Sequence, residues 1–224
     1  MKARLHLVTN DEVLARPDFV AVASEVMEVG GVTTALHVRG PRTRGRDLFR
    51  VVRDLVSVLE DSAASLVVND RVDVALAHGL EWVHLGQRSL PPAIARDLLG
   101  RQGTLGVSVH DVGEAQQAVE GGADYLTVGV MFATASHPGG TPVGPSLVET
   151  LQRTTRLPLV AIGGITPDRV EAAVASGAWG IAVLDGVWGG ESPARAVEVY
   201  LAALDRAAGE STTHDDPDNR RQVR

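Results

Sequence analysis

Several groups of residues in this chain have the types and spacing for chemistry. Gly163-Gly164 closes the apolar run Pro158-Leu-Val-Ala-Ile162, and Asp185-Gly186 closes the run Gly180-Ile-Ala-Val-Leu184. Glycine lets a ligand approach the backbone closely, and free N–H groups beside a helix start bind phosphate. Gly163, Gly164 and Gly186 are therefore the expected phosphate anchor, with a plain tight turn as the alternative at Gly163-Gly164. Four histidines, His37, His84, His110 and His137, fall at or near strand ends. Imidazole titrates near neutral pH, so one of them suits proton transfer. No two share the local spacing of a metal motif, so a histidine metal cluster is not expected. Arg39 leads a run with Arg42, Arg44 and Arg46, either a lure for an anionic substrate or a solvated face. Asp70 of the Asn69-Asp70 pair has the chemistry to hold magnesium, and equally to cap the helix after it.

The elements that must position these groups alternate. Strands are expected at Leu5–Thr9, Thr34–Arg39, Leu66–Val68, Trp82–Leu85, Leu105–His110, Tyr125–Val130, Pro158–Ile162 and Gly180–Leu184. Helices are expected over Pro17–Val29 and Asp47–Leu59, and over Val72, Leu76 and Leu80 to a stop at Gly79. More follow from Pro92 to Leu99, over Val112–Val119, from about Pro145 to Thr154, after Thr166-Pro167-Asp168 and after Ser192-Pro193. Strand–helix units recurring at roughly 25 residues predict an α/β fold, a (β/α)8 TIM barrel, as a single domain over residues 1–208. A doubly wound sheet has the same alternation and is the second choice. Residues 209–224 lack apolar periodicity and are expected to be a disordered tail.

Composition narrows the function. The 224 residues carry a net charge of −7, which disfavours nucleic acid as a partner. There is no cysteine, hence no disulfide, thiolate metal site or cysteine nucleophile. Lys2 is the only lysine and precedes the first strand, so a Schiff-base lysine inside a barrel is excluded. No apolar run approaches membrane-spanning length, and no signal pattern opens the chain, so a cytoplasmic protein with no membrane partner is expected. A homo-oligomer is left open.

The motifs, taken in order, resemble the thiamine phosphate synthase/TenI family. They are Asn69-Asp70-Arg-Val-Asp, Val83-His84-Leu-Gly86-Gln87, Gly106-Val-Ser108-Val-His110, Phe132-Ala-Thr134-Ala-Ser136-His137-Pro138 and Val160-Ala-Ile-Gly163-Gly164-Ile165-Thr166-Pro167. The resemblance runs from Leu5 to about Val187. It implies a barrel enzyme of thiamine biosynthesis acting on a thiazole phosphate. The synthase joins a pyrimidine methyl diphosphate to that thiazole phosphate with magnesium; the TenI-type enzyme moves protons to aromatise a carboxythiazole phosphate tautomer.

Departures from the synthase pattern point toward the second activity. The family's Gln-Leu-Arg-x-Lys after strand two is His37-Val-Arg39-Gly-Pro41, its second magnesium aspartate is Ser89, and the lysine after its Thr-x-Thr loop is His137. Two cations and one carboxylate are thus lost from the diphosphate side. The thiazole side keeps Thr134 and Ser136 for a carboxylate and Gly163, Gly164 and Gly186 for a phosphate. The resemblance makes His110 the proton carrier, with Arg39, Asn69, Ser108 and His137 also at the substrate. Asp185 replaces a family serine and would repel phosphate unless it turns away or caps the last helix. The expectation is a TenI-like thiazole tautomerase without a cofactor. The alternatives are a synthase using magnesium at Asp70 and a non-catalytic binder of thiamine phosphate.

Overall fold

A computed structural model describes residues 1–60, 62–63, 65–134 and 142–212, with side chains through 209. Its eight parallel strands close into a barrel in sequence order. They are β1 (Leu5–Val8), β2 (Thr34–Val38), β3 (Ser65–Asn69), β4 (Trp82–Leu85), β5 (Thr104–Val109), β6 (Tyr125–Gly129), β7 (Leu159–Ile162) and β8 (Gly180–Val183). Closure comes from β8 pairing with β1, with Leu5 opposite Ile181 and Leu7 opposite Val183. The expected TIM barrel stands and the open doubly wound sheet does not.

The helices are α1 (Asp11–Leu14), α2 (Phe19–Gly30), α3 (Gly45–Val58), α4 (Val72–Ala77), α5 (Pro92–Leu99), α6 (Val112–Glu120), α7 (Gly144–Thr154), α8 (Val170–Ala175), α9 (Asp185–Trp188) and α10 (Pro193–Thr212). The short α1 and α9, one turn each, have too few residues to show a helical period. Asn10 caps α1 and Asp111 caps α6 through side-chain bonds to Val13 and Glu114 N–H. The expected boundary at Gly209 falls inside α10, which continues to Thr212; the rest of the tail lies outside the described residues. Among the described residues no helix is long and apolar enough to cross a membrane.

Side chains alternate across each strand, one set facing the helices and the other the barrel interior. Leu5 and Leu7, Leu36 and Val38, Val83 and Leu85, and Leu126 and Val128 join the large core shared with the helices. The inward set is different. Val8, Tyr125, Val160 and Ala182 form one small cluster, and Ala3, Ala35 and Val67 another, with Trp82 packed against both. Between them lie His6, His37, Asn69, His84 and Thr127, all buried. The interior is therefore half polar, where branched aliphatic residues usually dominate.

Candidate functional site

A cavity of about 910 Å³ opens at the carboxyl ends of the strands, the edge at which barrels bind ligands. Its wall includes Arg39, Asn69, Asp70, Ser108, His110, Thr134, Gly163, Gly164, Asp185 and Gly186. These are the site residues expected from sequence except Ser136 and His137, which lie outside the described residues.

One end is built by the loops after β7 and β8. Gly163 and Gly164 take φ of 99° and 63°. A Cβ on Gly164 would sit 2.7 Å from the carbonyl oxygens of Phe132 and Ala133. Only glycine permits this turn, and it brings backbone to the cavity wall. Arg169, which sequence reasoning missed, also lines this end. Its Nη1 donates to Gly164 O at 2.8 Å and its guanidinium lies 5.2 Å from the Phe132 ring centroid. Asp185 is the first residue of α9, with Leu184 before it in the cap position, and it lines the cavity beside Gly186.

The opposite end is formed after β2, β3 and β4, across the barrel from β7. Arg39, Arg42, Arg71 and Arg88 all line it. Arg42 pairs with Asp11 at 3.3 Å and Arg71 with Asp73 at 2.5 Å. Arg71 and Arg88 were not among the expected cations, because each comes from a different loop and only the barrel gathers them beside Arg39. Asp70 does not cap α4; that cap position belongs to Arg71, and no side chain bonds there. Instead the Asp70 backbone takes φ 64°, a left-handed conformation that Asp tolerates, and its side chain crosses to the next loop. Oδ1 accepts Gly86 N–H at 2.8 Å and the Ser89 hydroxyl. Oδ2 has no hydrogen-bond partner among the described residues.

Two hydrogen-bonded chains rise from the interior to this cavity. In one, His6 Nδ1 meets His37 Nε2 at 2.8 Å, and His37 Nδ1 meets Asn69 Oδ1 at 3.0 Å. In the other, Tyr125 Oη meets His84 Nδ1 at 3.1 Å, and His84 Nε2 meets Ser108 Oγ at 2.8 Å. Burial lowers all three imidazoles, with neighbouring histidines adding to the effect for His6 and His84; His37 falls to about 4. Burial likewise raises the Tyr125 phenol. All four groups are neutral at pH 7. His37 and His84 are buried side chains that still line the cavity, and His6 and Tyr125 join them unforeseen. Among the described residues no group of three or more acidic or histidine side chains is arranged to hold a metal ion.

His110 is different in kind. Its side chain is 48 % exposed, at the cavity mouth. Glu114 Oε2 accepts from its backbone N–H at 2.6 Å and lies 3.1 Å from its Nδ1, and Gln87 Nε2 donates to the same oxygen at 3.0 Å. Gln87 Nε2 also lies 3.1 Å from Nδ1, so whichever neighbour Nδ1 bonds, Nε2 is the nitrogen left to exchange a proton with a ligand. Glu114 escaped sequence reasoning, although its position four residues after His110 in the first turn of α6 was the available signal.

A closed parallel eight-stranded barrel with its cavity at the carboxyl ends of the strands defines a TIM-barrel protein. A family described as Thiamine monophosphate synthase matches residues 5–187, and the chain belongs to that family. It is 38 % identical over 182 residues to a thiamine-phosphate synthase of Moorella thermoacetica, covering 81 % of this chain and 87 % of that one. It is 39 % identical over 204 residues to a thiamine-phosphate synthase of Gloeobacter violaceus, covering 91 % of this chain but spanning only 58 % of that longer protein. Among solved structures, thiamine phosphate pyrophosphorylase from Pyrococcus furiosus superposes with a TM-score of 0.79 at 29 % identity, over 92 % of this chain and 97 % of that one.

Proposed function

We propose that the protein is a thiamine-phosphate synthase, joining a pyrimidine methyl diphosphate to a thiazole phosphate. The observation that carries this reading is a single cavity with cationic groups at both ends. The tautomerase substrate brings one phosphate and one carboxylate, whereas the synthase pair brings a monophosphate and a diphosphate. Here Gly163, Gly164 and Arg169 face Arg39, Arg42, Arg71 and Arg88 across the barrel mouth. Arg88 adds a cation at the end where Pro41 removes one, while Arg71 belongs to the Asn69-Asp70-Arg motif and is paired with Asp73. The names of the relatives support the same activity.

In this reading the thiazole nitrogen forms a bond to the pyrimidine methylene carbon, and the bond from that carbon to diphosphate breaks. Gly163 and Gly164 hold the thiazole phosphate. Arg39, Arg42, Arg71 and Arg88 receive the departing diphosphate, where charge develops. Magnesium fits through one carboxylate, since it is commonly held by one or two carboxylates together with substrate phosphates and water. Asp70 would supply that carboxylate, and the ion would add charge neutralisation at the diphosphate.

A second reading, the thiazole tautomerase, is favoured by Ser89. It stands where the resemblance places a second metal carboxylate, and its hydroxyl is already bonded to Asp70. His110, oriented by Glu114, is the proton carrier in that case. The two readings separate on pyrophosphate release with both half-substrates present. The synthase releases it only with both substrates and magnesium. No release, with aromatisation of the carboxythiazole phosphate instead, contradicts the proposal in favour of the tautomerase. No turnover of either, with tight thiamine phosphate binding, identifies a non-catalytic binder.

A further inference from the structure

Ser108, His84 and Tyr125 have the spacing of a nucleophile, its base and an orienting group. Their proton directions run the other way. Tyr125 is fully buried and keeps its proton. Among the described residues, His84 Nδ1 is the only acceptor its hydroxyl meets. Trp82 packs edge-on at 6.0 Å between ring centroids, but an indole N–H can only donate. If His84 carried its proton on Nδ1, the Tyr125 hydroxyl hydrogen would be left without an acceptor where water is excluded. Tyr125 therefore donates to His84 Nδ1. Neutral His84 holds its one proton on Nε2 and donates it to Ser108 Oγ. That Oγ has no other partner among the described residues, and Ser108 lines the cavity.

We infer that Tyr125 and His84 are positioning residues that fix Ser108 as a hydrogen-bond donor to the ligand. Ser108 is thereby neither a base nor a nucleophile. The ligand atom it meets is an acceptor, an anionic oxygen or an unprotonated ring nitrogen. Gly106 belongs to the same device: a Cβ there would occupy the space of the Tyr125 phenol, so the glycine lets the ring lie across β5. This inference deepens the proposed function, since it says which face of the substrate Ser108 reads.

The test uses the full chain, with thiamine phosphate as the probe. In nitrogen-15 spectra of ligand-free protein, the His84 signals, assigned by their loss in His84→Gln, are expected to show a protonated Nε2 and a bare Nδ1. Calorimetry should find thiamine phosphate binding weakened about 5- to 20-fold by Ser108→Ala and by Tyr125→Phe. The double variant should bind within about twofold of Ser108→Ala alone, because the tyrosine acts through the serine. A fluorophosphonate probe should leave Ser108 unlabelled. Multiplying losses in the double variant, a proton on Nδ1, or labelling of Ser108 each overturns the inference. If the unmodified protein does not bind thiamine phosphate, the functional reading fails, while the ligand-free spectrum still judges the relay.

Discussion

At the scale of single residues, the site combines groups that keep their family type with groups that changed. Asp70, to which the proposed function gives the metal, ties the loop after β3 to the loop after β4 through Gly86 N–H and Ser89. Asp70→Ala removes a carboxylate from the diphosphate end and should lower thiamine phosphate formation by about 10²–10³-fold, the usual loss for one well-placed electrostatic group. Initial rates at saturating magnesium check it; a loss under tenfold would place the metal elsewhere. That Arg39, Asn69, Asp70, Ser108, His110, Thr134, Gly163, Gly164 and Gly186 would line one cavity was legible in the sequence because motif order fixes strand ends. Arg71, Arg88 and Arg169 were not. Their side chains enter the site from loops and helix starts, whose direction no local pattern encodes.

At the scale of elements, the loop after β7 depends on backbone that only glycine adopts. Gly164→Ala would add a Cβ against two carbonyl oxygens at φ 63°. The left-handed conformation alone costs about 1–2 kcal/mol. The expected outcome is a lowered melting temperature together with weaker binding of thiazole phosphate, read by calorimetry. Unchanged affinity would remove this loop from the phosphate site. Strand and helix order was readable from apolar runs punctuated by glycine, proline and acidic residues. The strand interior was not, because His6, His37, Trp82 and His84 sit inside runs such as Leu5-His-Leu-Val that read as uniformly strand-forming. Only register decides that the histidine faces inward and the leucines outward.

At the scale of the whole molecule, the polar interior links stability to pH. His6, His37 and His84 are neutral in the fold, with pKa values below the ordinary 6.5. The unfolded chain binds protons on them first as pH falls. Stability is therefore full above about pH 6.5 and declines below it, down to about 4 for His37. His37 alone would account for about 3 kcal/mol over that window, since each tenfold change in proton affinity is worth about 1.4 kcal/mol. Urea unfolding at stepped pH should show this decline, and His37→Gln should make it shallower; a slope that does not change would mean His37 titrates alike in both states. The barrel was legible as a whole because its repeat is periodic, whereas the pairing of cations from β2, β3 and β4 against the β7 loop exists only after closure. That two-ended cavity is the basis for assigning a two-substrate reaction. Its most direct measurement gives one preparation, with magnesium, both half-substrates in one vessel and the carboxythiazole phosphate tautomer in another, and follows both by NMR. The account expects thiamine phosphate and pyrophosphate to form in equal amounts in the first vessel, faster than aromatisation above background in the second. Aromatisation in the second vessel with no thiamine phosphate in the first would contradict it.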